Sequence, residues 1–200
     1  MLMGKCRNCK SKISVRYPIV ELLTALLFLF GYIHYGAEFF DLGIYLFLVS
    51  VFIILSFIDF DTQTLPDRFT LGLIPIGLIT SIFRSDITIF QSIIGVLSGG
   101  IILLLIAVIG SWVLKKEAMG GGDIKLMAGI GGFVGLSGIL LTIFLASFLG
   151  AIYGILNIIF TKDDKDAANI IPWGPFICLA AMIVHLYSDT IIEWYLSLFI

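Results

Sequence analysis

Seven apolar stretches run along this chain, separated by short polar segments: about 18–35, 43–59, 69–83, 91–114, 123–136, 138–160 and 174–188. Most are long enough for a helix to cross a bilayer, which takes roughly 17–25 residues. The third and fifth are short and contain glycine or proline, so they are expected to be broken, tilted or shielded by neighbours. The tail 189–200 either extends the last helix or lies in the interface. The pattern predicts an all-α, polytopic membrane bundle of about seven spans over residues 18–200, preceded by a small cytoplasmic segment, 1–17.

Composition agrees with that pattern. Hydrophobic residues make up 60% of the 200, charged residues only 13%, and the mean hydropathy is +1.11; a soluble domain is nearer half apolar and a quarter charged. A net charge of −2 with no basic stripe gives nothing for nucleic acid to bind. The opening MLMGKCRNCKSKISVR is basic and polar, unlike a signal peptide, and the apolar run after it lacks a cleavage-type end. With the N-terminus in the cytoplasm, eleven of the 12 lysines and arginines fall on inside segments and only Arg84 falls outside. Tyr17, Tyr32, Tyr35, Trp173 and Trp194 lie near span ends, where amphipathic rings are common. Gly150 and Gly154, and the cluster Gly129, Gly131, Gly132 and Gly135, suit close helix contacts. The segment 161–169 reads as a charged cytoplasmic loop.

Two carboxylates stand out against this background. Asp59 closes the second apolar run and Asp123 opens the fifth, and the orientation puts both at the cytoplasmic face. An ionisable group at membrane depth is costly and is a functional candidate. If the two meet, they would titrate as a unit with one proton shared and could activate a water as an acid/base pair. Pro66 ends any helix before it, which leaves Asp61 and Asp67 in water. The bland alternative for Asp59 is an interfacial cap.

Three glycines precede Asp123. Such a run disfavours helix, at roughly 1 kcal/mol each against alanine, and permits close approach of another chain. Gly120, Gly121, Gly122 and Lys125 are therefore candidate substrate contacts beside the catalytic acid. Asp123 as a helix N-cap is an open alternative. A phosphate loop fits poorly, since no Gly-Lys-Ser/Thr follows and no strand precedes. Cys6 and Cys9 form a CxxC pair, which offers two of the four ligands that a closed zinc site wants. Half a zinc site completed by another chain, a redox pair, and the remnant of a longer zinc module all remain open. Cys178 reads as a small core residue, and His34 and His185 as packing or interfacial residues.

In order and spacing these pieces resemble the type IV prepilin peptidases, bacterial membrane aspartic peptidases that trim pilins and type II secretion pseudopilins. The matching stretches are Cys6-x-x-Cys9, Ile13 to Leu23, Ile58-Asp59 with Leu65-Pro66-Asp67, Ala118 to Leu126, and Ile171 to Phe176. The resemblance implies that Asp59 and Asp123 are the catalytic pair and that Gly120–Asp123 is the GxGD motif. It implies a cytoplasmic-membrane enzyme with its N-terminus and active site inside. Its substrate would be a prepilin or pseudopilin with a basic leader, and no cofactor would be needed for hydrolysis. Many members carry a longer N-terminal part with two CxxC pairs, whereas this chain begins just before the second. A full zinc site is therefore not implied, and S-adenosylmethionine enters only where N-methylation of the product is retained. Partners expected are the lipid bilayer and, besides the substrate, a second copy in a homo-oligomer. Two other classes compete: a proton- or ion-coupled transporter using intramembrane carboxylates, and a non-catalytic assembly protein that uses Cys6 and Cys9 as a metal-mediated contact.

Overall fold

A computed structural model describes residues 7–9, 11–117, 119–160 and 172–197. Six helices carry them: α1 (Arg16–Tyr35), α2 (Phe39–Thr62), α3 (Asp67–Thr80), α4 (Ile89–Leu114), α5 (Gly121–Phe160) and α6 (Gly174–Ser197). Four, namely α1, α2, α4 and α5, are long and apolar enough to cross a membrane. The chain is thus an all-helical integral membrane protein. The expected fifth and sixth spans form one 40-residue element interrupted at Gly135, where φ 66 and ψ −172 break the helix. The third is only 14 residues long, and α6 reaches Ser197, so the described part of the tail, 189–197, extends the last helix. The charged loop 161–169 lies outside the described residues.

The chain divides into two compact units, Met1–Ile53 and Ile54–Ile200, with α2 running through both. In the first, Gly36 ends α1 at φ 56 and returns its N–H to the Tyr32 carbonyl at 2.9 Å. Tyr45 is fully buried, and its hydroxyl donates to the Leu27 carbonyl at 3.1 Å. Its ring packs against Gly31, where a Cβ would collide with it. The rest of α1 exposes leucines and isoleucines, as a lipid-facing helix does.

The second unit is built around the first arm of α5, residues 121–134. Leu126, Met127, Ile130 and Phe133 are buried along it. Its glycines set the neighbours' register. Gly122 touches Leu65, Gly129 touches Leu73, and Gly132 touches Gly77, so α3 runs parallel to this arm. Gly131 meets Gly95 and the Met127 carbonyl meets Gly99, so α4 runs antiparallel. A Cβ at Gly99 would sit 2.5 Å from that carbonyl, and one at Gly95 or Gly131 would be closer still to the facing backbone. Beyond Gly135 the second arm lies along α6: Gly138 faces Val184, Gly150 faces Phe176, and the Tyr153 and Phe176 rings are 5.3 Å apart.

Candidate active site

Asp59 lies in the last turn of α2, where Gln63 donates to its carbonyl at 2.9 Å. The helix stops at Thr62 because Gln63 takes a left-handed φ of 53 and Pro66 opens α3 in an extended conformation. Asp59 is only 5% exposed. A buried carboxylate needs donors, and the Gly174 amide at the start of α6 supplies one to Oδ2 at 2.9 Å. Asp123 lies in the first turn of α5, half-buried, with a backbone hydrogen bond at Gly120. The negative charge of Asp59 acts on Asp123, and both charges act on Cys178, so the three side chains share one site. The two carboxylates, one from a helix C-terminus and one from an N-terminus, thus lie within each other's electrostatic reach, beside a buried thiol hydrogen-bonded to Ser56.

The three glycines before Asp123 differ in their surroundings. Gly121 has nothing within 4 Å of a would-be Cβ, and the nearest atom for Gly120 is Oδ2 of Asp123 at 3.5 Å. Gly122 faces the protein, where a Cβ would lie 2.8 Å from the Leu65 Cβ. Two glycines therefore border open space beside the carboxylates, and the third lets α5 close on the turn before α3. Lys125 does not point at the aspartates' oxygens; its Nζ is 2.7 Å from Oδ1 of Asp67, tying α5 to α3. Asp61 and Asp67 are exposed, as the sequence reading expected.

Cys9 is exposed, with its Sγ 3.0 Å from the Ser11 hydroxyl, and Cys6 lies outside the described residues. Among the described residues no group of three or more His, Cys, Asp or Glu is placed to hold a metal ion. His34 packs between the Phe30 and Tyr35 rings. His185 lines a cavity at the far end of the first arm, with Arg84, Gln91 and Ser137. Sequence reasoning took Cys178 for a core residue, which it is, but missed that it and Gly174 face the aspartates. The Gly-Pro step at 174–175, at the start of an apolar run, was the available signal for Gly174.

A family model described as the type IV leader peptidase family matches residues 46–155. The chain belongs to that family. Both aspartates fall inside the match, and α6 lies beyond it. A second model, the bacterial peptidase A24 N-terminal domain, matches residues 1–35. A Legionella pneumophila protein named prepilin leader peptidase/N-methyltransferase is 34% identical over 98% of this chain and 68% of its own length. A Pseudomonas aeruginosa protein of the same name is 37% identical over 98% and 67%. An Escherichia coli protein named type 4 prepilin-like proteins leader peptide-processing enzyme is 38% identical over 91% and 65%. The chain therefore spans about two thirds of the length of these curated relatives. No solved structure matches it.

Proposed function

We propose that the chain is a membrane aspartic endopeptidase that removes the basic leader from a type IV prepilin or pseudopilin. The observation that carries this reading is that Asp59 and Asp123 lie within each other's electrostatic reach in a leader-peptidase family member. With one proton between them, the ionised aspartate takes a proton from water as its oxygen bonds to the scissile carbonyl carbon. The protonated aspartate gives its proton to the carbonyl oxygen. Collapse of the tetrahedral intermediate breaks the C–N bond, and the leaving amine takes a proton back. An extended substrate would lie along open Gly120 and Gly121, with Lys125 held at the rim by Asp67.

The reading has a topology. A straight 40-residue helix would be about 60 Å long, twice the roughly 30 Å hydrocarbon core. The Gly135 break and the antiparallel contacts of the second α5 arm with α6 favour two crossings there, hence seven in all. The lysine and arginine distribution favours an inner-membrane protein with its N-terminus and both aspartates at the cytoplasmic face, where residues 18–200 form the peptidase and 1–17 the CxxC segment. Hydrolysis calls on no cofactor. Zinc at Cys6 and Cys9 would need further ligands, such as those of a second chain, and S-adenosylmethionine would serve only a separate methyl transfer. Incubating the purified protein with a prepilin and weighing the products tests the reading; it predicts one cut, at the end of the leader.

A further inference from the structure

The first turn of α6 leaves one donor for another helix. The Trp173 carbonyl accepts from the amides of Phe176 and Ile177, each at 3.1 Å. Pro175 has no N–H. The Gly174 N–H points out of its own helix, to Oδ2 of Asp59 in a buried bond of 2.9 Å. Asp59 needs it: the C-terminal end of a helix disfavours a carboxylate, and the N-terminal end of α6 carries the opposite partial charge. No side chain fits at this point, since a Cβ on Gly174 would lie 2.8 Å from Oδ2 and 3.0 Å from Cγ of Asp59. One turn along α6, Cys178 hydrogen-bonds Ser56, which lies one turn before Asp59. The contact between α2 and α6 is thus matched at two successive turns.

We propose that Gly174 is a positioning residue for the reaction: its N–H holds Oδ2 of Asp59 and leaves Oδ1 as the oxygen that meets the water. This rests on the two-aspartate reading above. The titratable groups that bear on Asp59 are Asp123 from α5 and Cys178 from α6; the Lys125–Asp67 pair links α5 to α3.

The test measures kcat, KM and the pH–rate profile of prepilin cleavage in two altered chains. One is Gly174→Ala. The other carries glycolic acid in place of Gly174, which exchanges the N–H for an ester oxygen without adding bulk, so it stays informative if the alanine variant does not fold. Both should lose about tenfold or more in kcat with KM nearly unchanged. One limb of the pH–rate profile should move to higher pH, because the ester chain lacks the donor to the carboxylate form and the alanine chain, which keeps its N–H, pushes Oδ2 away from it with the added Cβ. Movement of the acid limb would make Asp59 the base, and movement of the alkaline limb would make it the acid. An ester at Phe176 perturbs the same turn without touching Asp59 and should leave both limbs in place. If the profile of the ester-174 chain matches wild type, while wild type cleaves and Asp59→Asn does not, the positioning role is overturned and the peptidase reading stands. If wild type does not cleave, the peptidase reading itself falls.

Discussion

The two ends of the first α5 arm are finished in opposite ways. At the Gly135 end the backbone is sealed: Ser92 donates to the Gly132 carbonyl at 2.6 Å, and Arg84 donates to the Phe133 carbonyl at 3.0 Å while paired with Asp86. Gly131 and Gly132 there meet the backbones of Gly95 and Gly77, and a Cβ on Gly131 would collide with its neighbour. At the Asp123 end, Gly121 is exposed with open space around it, and the charge of Asp59 reaches Asp123. At one end the backbone carbonyls beside the break are satisfied by side chains of the protein, and the other keeps its carboxylates available for a substrate. Substitutions at the first should therefore cost stability, and substitutions at the second should cost activity.

The hardest test of the sealed end is Gly95→Leu. The facing Gly131 backbone cannot yield, so the variant should lose more than about 4 kcal/mol and fail to accumulate in the membrane; recovery of a folded, active variant would contradict the packing described here. Arg84→Met and Ser92→Ala each strip a donor from a backbone carbonyl at the break. Each should cost about 1–3 kcal/mol in detergent unfolding, with the cleavage rate per folded molecule unchanged.

Glycines at the open end should separate in the same way. Gly122→Ala pushes on Leu65 and should lower stability by about 1–3 kcal/mol. Gly121→Ala should leave stability alone and raise KM, because its Cβ enters the space proposed for substrate. Equal melting shifts in the two variants would erase the distinction. The smallest effect belongs to Lys125→Met. The ion pair with Asp67 is about half exposed, its side chains 39% and 59% accessible, so its loss should cost under about 1 kcal/mol, read by the same unfolding curves.

Much of this was legible in the sequence. Hydrophobic runs located the helices, because each must fill a bilayer with apolar side chains. Asp59 and Asp123 were legible as costly carboxylates at span ends, whereas the glycine run was expected to disfavour helix and yet Gly121 and Gly122 open α5, where Gly122 lets the helix close on Leu65. Which glycine breaks α5 was not legible, since Gly129, Gly131, Gly132 and Gly135 look alike until tertiary contacts choose the last. The position of Gly174 was marked by its Gly-Pro step, but its role was hidden, because it acts through a backbone N–H, which every residue but proline has. The polar contact of Cys178 with Ser56 depends on how α2 and α6 meet, and no periodicity within either helix encodes that.

The central claim is that Asp59 and Asp123 together hydrolyse a leader peptide bond. The most direct measurement follows prepilin cleavage by mass, using purified wild type, Asp59→Asn and Asp123→Asn at equal folded concentration. The account predicts a single cut by wild type and roughly 10³-fold or greater loss in each variant, with unfolding curves that show both still folded. Near wild-type cleavage by either variant would contradict it.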